Sequence, residues 1–144
     1  MRALRLPCHC GSLRQATRAV TQLYDRHLQP CGLTINQFGL LRFLDALPGT
    51  TVAAIADAMV MDSTTLTRTL AGLKQRGWIA SVPGRDRREK LWSLEPDGKA
   101  VMVAAMPLWE AAQRELEARM AGVDMETLSR TSFALARALA DDPG

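Results

Sequence analysis

The sequence has few of the residues on which catalytic and metal sites depend. Its 144 residues include only two histidines, His9 and His27, and three cysteines. No Ser/His/Asp triad, no catalytic carboxylate pair and no glycine-rich phosphate loop stands out. We therefore expect a protein that is not an enzyme and that requires no cofactor.

Long apolar runs are also missing. None approaches the ~20 residues that span a bilayer, and the opening MRALRLPCHCG lacks the hydrophobic stretch of a signal peptide. Three cysteines cannot all pair within one chain, and disulfide frameworks belong to smaller secreted proteins. We expect a single cytoplasmic domain that does not enter a membrane.

Charge of either sign is modest overall, but its distribution is uneven. The net charge is +3, yet residues 62–90 carry seven Lys and Arg against three Asp and Glu, whereas residues 91–144 carry five against nine. A basic middle segment indicates an anionic partner, as expected for nucleic acid.

Apolar residues at helical spacing, with capping residues at their ends, predict six helices. The predicted starts are Ser12, Thr34, a short apolar segment at Val52, Asp62 with Ser63, Asp97, and Asp124. Pro107 predicts a kink or a new segment in the fifth helix. Between the fourth and fifth helices, WIASVPG and KLWSLEP read as two strands of a β-hairpin. The expected fold is mainly α with a small β-hairpin wing.

The third and fourth helices have the order and spacing of a helix-turn-helix. The second helix of that motif enters a major groove about 12 Å wide, so its exposed side chains should be small and hydrogen-bonding. Leu66, Leu70 and Leu73 would hold the opposite face to the core. The candidate DNA contacts are Ser63, Thr64, Thr65, Thr67 and Arg68, with Lys74 and Arg76 near phosphates. The alternative is an ordinary surface helix with a polar face.

The turn GRDRREK concentrates positive charge at the tip of the predicted hairpin. Its basic residues are Arg85, Arg87, Arg88 and Lys90. Their mutual repulsion is unfavourable unless an anion compensates, and a DNA minor groove would supply one because narrow grooves attract arginine. The alternative is a solvated charged loop.

The stretch DRREKLWSLEPDG resembles the wing signature of MarR-type winged helix-turn-helix regulators. Asp86, Arg88, Leu94 and Gly98 fall at the D-x-R-x5-L-T-x-x-G positions. Glu95 replaces the threonine that often begins the following helix, so we expect the helix cap to shift towards Asp97. The stretches LYDRHLQPCGLTINQFGLL and DSTTLTRTLAGLKQRGWI are also similar to the family in their apolar and polar spacing.

The resemblance implies a homodimer that reads a pseudo-palindromic double-stranded DNA operator. Residues 1–32 and 97–144 would form the dimerisation helices, and residues 33–96 the DNA-binding lobe. By position, Arg88 would enter the minor groove, Asp86 would hold the wing arginines, and Thr65, Thr67 and Arg68 would face the major groove. We expect a repressor that an effector releases from DNA; the alternative is a protein-interaction module without an operator.

The first helix is most similar to that of the organic-hydroperoxide-sensing branch of the family. By that resemblance the reactive cysteine falls on Cys10, while Arg14 stands where the branch has a tyrosine. A thiol in the first turn of a helix lies near the positive end of the helix dipole, which favours the thiolate that peroxides oxidise.

Three hypotheses for the thiols stay open. Cys10 could act as a redox sensor, with Cys8 or Cys31 as its resolving thiol. Cys8, Cys10 and Cys31 could instead bind a thiophilic metal or metalloid, since C-x-C presents two soft ligands close together. Finally, the cysteines could be structural, with the effector a small ligand bound elsewhere.

Overall fold

The computed structural model describes residues 4, 5 and 7–140 of the chain. This part contains six α-helices, one 3-10 turn and three β-strands. In chain order they are α1 His9–Leu28, the 3-10 turn Gln29–Cys31, α2 Ile35–Ala46, β1 Thr50–Thr51, α3 Val52–Met59, α4 Ser63–Gln75, β2 Ile79–Pro83, β3 Lys90–Leu94, α5 Pro96–Arg119 and α6 Met125–Ala140. The expected mainly α fold with a hairpin wing is confirmed.

The main hydrophobic core lies in the lobe formed by α2, α3, α4 and the sheet. Its largest residues are fully buried because each helix directs one apolar stripe inward. They include Phe38, Leu41, Leu44, Ile55, Leu66, Leu70, Leu73 and Ile79. The predicted inward face of α4 is therefore confirmed, and its polar face is left to solvent.

The sheet has three antiparallel strands in the order β1-β3-β2. β2 and β3 form the predicted hairpin, which runs from Ile79 opposite Leu94 to Pro83 opposite Lys90. The strand β1 was not predicted, because two residues are too short to show an alternating pattern. It attaches the start of α3 to the wing through Thr50, which pairs with Trp92.

Two helix starts differ from the sequence prediction. α1 begins at His9 rather than after Ser12, because the sulfur of Cys8 accepts the backbone N–H of Gly11 at 3.5 Å and acts as the N-cap. α5 begins at Pro96, whose fixed φ suits the first helical position. Glu95 is its N-cap without a side-chain bond, so the cap does not shift to Asp97.

The helices α1, α5 and α6 extend beyond the lobe. Leu23 and Tyr24 of α1 pack with Ala112 of α5 in a second small core. α5 continues through Pro107 as one helix, so of the two predicted outcomes the new segment is excluded and the kink stays a prediction. The predicted cap of α6 is confirmed, because Asp124 accepts the backbone N–H of Thr127 at 3.0 Å.

The helix α6 carries large apolar side chains that the described part of the chain leaves exposed. None of its described residues is buried, and four large apolar side chains on it are exposed: Leu128, Phe133, Leu135 and Leu139. Among the described residues, no helix is both long enough and apolar enough to cross a membrane.

Candidate nucleic-acid interface

The exposed face of α4 carries the polar residues predicted to meet DNA. Asp62 caps this helix, because its carboxylate accepts the backbone N–H of Thr65 at 3.0 Å. The Thr67 hydroxyl donates to the Ser63 carbonyl at 2.7 Å, so its oxygen is left to act as an acceptor. Together with Arg68, the exposed residues form one surface that both accepts and donates hydrogen bonds: Ser63, Thr64, Thr65, Thr67 and Arg68.

The two basic residues at the end of α4 are turned towards the protein. Lys74 lies 3.4 Å from the Ser81 hydroxyl and 5.8 Å from the centre of the Trp92 ring, which joins α4 to the wing. Arg76 stacks at 3.8 Å on the ring of Trp78 and donates to the Gly32 carbonyl at 2.8 Å. The Lys74 ammonium and the Arg76 guanidinium therefore each connect the end of α4 to another part of the protein, and their contact with phosphates stays a prediction.

The wing tip is a tight turn with an exposed basic surface. The backbone N–H of Gly84 donates to the Glu89 carbonyl at 2.8 Å, which closes the turn. Asp86 accepts the backbone N–H of Arg88 at 3.3 Å. Its carboxylate therefore orders the backbone of the tip and forms no ion pair with the wing arginines in the part of the chain that the structure describes.

The arginines of the wing are not neutralised within the described chain. The side chains of Arg85, Arg87 and Arg88 are exposed, and no carboxylate lies within ion-pair distance of them among residues 4, 5 and 7–140. Some other cations of the described residues are paired, such as Lys99 with Asp45 at 2.6 Å. The wing tip therefore presents three exposed arginines without a carboxylate partner in the part of the chain that the structure describes.

The three thiols lie at two separate places. Cys8 and Cys10 are exposed at the N-terminal end of α1, whereas Cys31 is partly buried in the 3-10 turn and packs against the lobe core. Cys8 itself occupies the N-cap, where the dipole of α1 is felt most strongly. Within one described chain, no group of three or more His, Cys, Asp or Glu residues could hold a metal ion.

A charged cluster around Glu115 connects α1 and α5 and was not predicted from the sequence. The carboxylate of Glu115 lies 2.5 Å from His27 Nε2, 2.6 Å from Arg119 and 3.2 Å from Arg26. The hydrogen bond with His27, supported by Arg119 and Arg26, lowers the pKa of Glu115. Only the i, i+4 spacing of Glu115 and Arg119 was visible in the sequence.

A groove of about 480 Å³ runs between α1, α5 and α6. Its lining is mostly apolar, with Val20 and Leu23 on one side and Met125 and Leu128 on the other. Close by, the Tyr24 hydroxyl donates to the Gln113 side chain. Burial, with a smaller contribution from the charge of Glu117, raises the pKa of Tyr24.

Comparisons with known proteins agree with this geometry. A family model described as "MarR family" matches residues 32–89. The transcriptional regulator HosA of Escherichia coli O111:H- is 28% identical over 116 residues, which are 79% of this chain and 84% of HosA. The HTH-type transcriptional regulator YwoH of Bacillus subtilis (strain 168) is 30% identical over 79 residues, and this match spans 58% of YwoH.

A solved structure extends the similarity to most of the chain. The M. tuberculosis transcriptional regulator MosR, in complex with DNA, superposes with a TM-score of 0.83 at 33% identity, covering 92% of this chain and 96% of MosR. The short helix α3, the helix α4 with its exposed polar face and the basic β2–β3 hairpin follow one another in the chain, and this order defines the winged helix-turn-helix class. The chain belongs to the MarR family, and the relatives named above are transcriptional regulators rather than enzymes.

Proposed function

We propose that this protein is a sequence-specific DNA-binding transcription regulator that acts as a homodimeric repressor in the cytoplasm. The observation that carries the proposal is the pairing of the polar, capped face of α4 with an exposed wing whose arginines have no carboxylate partner in the described chain. The crystallised complex of its relative MosR with DNA supports the same role.

The two parts of the lobe would contact different features of a duplex. α4 would enter the major groove, where Thr65, Thr67 and Arg68 meet base edges. The wing would follow the backbone, with Arg88 in the minor groove and its neighbours Arg85, Arg87 and Lys90 near phosphates. The hairpin and the Lys74 contact with Ser81 would keep the two parts at a fixed spacing.

A second copy of the chain would cover the exposed face of α6. Its exposed apolar side chains, such as Phe133 and Leu139, would be buried by a partner that the described residues of one chain do not provide. Pairing through residues 1–32 and 97–144 would present two copies of α4 to a pseudo-palindromic operator, since dimers of this class read two half-sites about one helical turn apart.

An effector would release the protein from DNA, and the thiols of α1 are our first candidate for its target. The Cys10 thiolate would attack the terminal oxygen of an organic hydroperoxide. An S–O bond forms, the O–O bond breaks, and the alkoxide takes a proton from water and leaves as an alcohol, so Cys10 becomes a sulfenic acid. A second thiol would then displace water from the sulfenic acid and form a disulfide. This thiol would be Cys8, or Cys31 of the other subunit, because the length of α1 separates Cys10 from Cys31 within one chain by roughly 30 Å. Loss of the Cys8 thiol would also remove the N-cap of α1.

A thiophilic metal or metalloid is the second candidate effector. Since one described chain gathers no complete ligand set, such a site would need Cys8, Cys10 and Cys31 from both subunits. A small ligand in the apolar groove beside α6 is the third candidate. The alternative to the whole proposal is a winged protein-interaction module without an operator.

A gel shift with the DNA upstream of its own gene tests the proposal. We expect binding that is selective over an unrelated duplex and that weakens steeply as salt rises, because phosphate contacts release counterions. No binding at low salt would refute DNA regulation and favour the interaction module. Adding hydroperoxide or a thiophilic metal to the bound complex then identifies the class of effector.

A further inference from the structure

One side chain of α6 reaches the helix-turn-helix of its own chain. Arg137 Nη1 donates to the backbone carbonyl of Asp57 at 2.8 Å, and its Nη2 lies 3.8 Å from the Asp57 carboxylate. Arg137 is only 28% exposed, although α6 has no buried residue. The contact therefore connects the helix expected to dimerise with the lobe expected to read DNA.

The carbonyl that Arg137 contacts belongs to the last turn of α3. This turn has no basic residue of its own, so Arg137 supplies from another helix the positive charge that stabilises a helix C-terminus. The Asp57 carbonyl also accepts the backbone N–H of Val60 at 3.3 Å. The Asp57 carboxylate is 73% exposed and lies 3.8 Å from Arg137 Nη2, so this ion pair stabilises the contact much less than the hydrogen bond to the Asp57 carbonyl does.

The turn beyond this carbonyl is strained. Val60 has φ 50° and ψ 48°, a left-handed conformation that a β-branched residue rarely adopts. Such a conformation persists only where surrounding contacts hold it. Here the N–H of Met61 donates to the Ala56 carbonyl at 2.9 Å. The next residue, Asp62, is the N-cap of α4. The direction of α4 therefore depends on how this turn is held.

We propose that Arg137 is a positioning residue that holds the α3–α4 turn in its DNA-reading geometry and thereby couples the position of α6 to that of α4. The inference rests on the proposed function, because it assigns to α6 a role in DNA reading in addition to dimer formation. A change in the packing of α6 would then alter operator affinity without touching any residue that contacts DNA.

Hydrogen exchange of the full-length protein without DNA tests the structural half of this proposal. In Arg137→Ala we expect the amides of Val60 and Met61 to exchange about fivefold to tenfold faster. Arg137→Lys, which keeps a cationic donor, should recover part of the protection. Asp57→Asn, which keeps the carbonyl and loses only the weak ion pair, should stay close to the wild-type exchange rates. The matched control is Arg130→Ala, whose exposed guanidinium lies 3.6 Å from Glu126 on the same helix and contacts no other helix among the interactions of the described residues.

Operator affinity tests the functional half. Arg137→Ala should bind the operator about fivefold to tenfold more weakly than Arg130→Ala, with the same sedimentation coefficient for the dimer. Unchanged exchange at Val60 and Met61, or faster exchange with unchanged operator affinity, would overturn the positioning role. A wild-type protein that binds no DNA would instead refute the proposed function, whatever the exchange rates show.

Discussion

Gly98 occupies a place where no larger residue fits, so its replacement by alanine should destabilise the protein. A Cβ at this position would overlap the carbonyl oxygen of Trp78 and lie 2.8 Å from Leu94 Cδ1. The same carbonyl accepts the backbone N–H of Glu95 at 2.9 Å, which fixes it beside the start of α5. Since a backbone carbonyl cannot rotate away as a side chain would, α5 itself has to move.

The magnitude follows from two opposing terms. Overpacking of a tight core contact costs about 1–3 kcal/mol, and the upper end applies to contact with backbone. Alanine recovers up to about 1 kcal/mol as a better helix former than glycine. We therefore expect Gly98→Ala to lower the free energy of unfolding by about 2 kcal/mol. Gly72→Ala on the exposed face of α4, where a Cβ has no atom within 4 Å, should instead raise it by up to about 1 kcal/mol.

Urea unfolding followed by tryptophan fluorescence measures both variants. Trp78 and Trp92 lie in the lobe and Trp109 lies in α5, so one signal reports on both regions. The protein concentration must be equal throughout, because the stability of a dimer depends on it. Equal stability of Gly98→Ala and wild type, or a reversed order of the two alanine variants, would refute the reasoning about the α5 contact.

Three further predictions concern the turn, the charged cluster and the thiols. Val60→Gly should raise the free energy of unfolding, measured in urea, by about 0.5–1 kcal/mol, because glycine adopts the left-handed conformation without strain. The same change at the exposed β2 residue Val82 should lower the free energy of unfolding. Equal effects at the two sites would show that Val60 is not strained. Because the pKa of Glu115 is lowered in the folded protein, the ionised carboxylate stabilises the fold above the ordinary carboxyl pKa, and this stability is lost as pH falls through the lowered pKa. The melting temperature of Glu115→Gln should therefore fall less steeply than that of the wild type between pH 7 and pH 3. Parallel falls of the two melting temperatures would exclude a stabilising role of the Glu115 cluster. Cys10→Ser should keep operator binding but lose its release by organic hydroperoxide in a gel shift, whereas release at the wild-type dose would make Cys10 a bystander.

The sequence was sufficient for the order of the helices, the wing hairpin and the inward face of α4, because each depends on local periodicity. It did not reveal contacts between distant elements. The Arg76 bond to Gly32, the Glu115 cluster and the Arg137 contact each join residues far apart in sequence, and no local pattern encodes such pairs. The start of α1 was predicted at Ser12 instead of at His9, because its N-cap is Cys8 and cysteine is not among the residues that usually cap helices.

The polar face of α4 and the arginines of the wing are proposed to bind DNA together. Fluorescence anisotropy of a labelled operator duplex, measured against salt, tests this binding most directly for the wild type, Arg88→Ala and the exposed control Arg130→Ala. We expect selective wild-type binding, at least about tenfold weaker binding by Arg88→Ala with a smaller salt slope, and wild-type behaviour of the control. Equal affinities and slopes for all three proteins would show that the wing does not contact DNA, and equal binding to an unrelated duplex would exclude an operator-specific regulator.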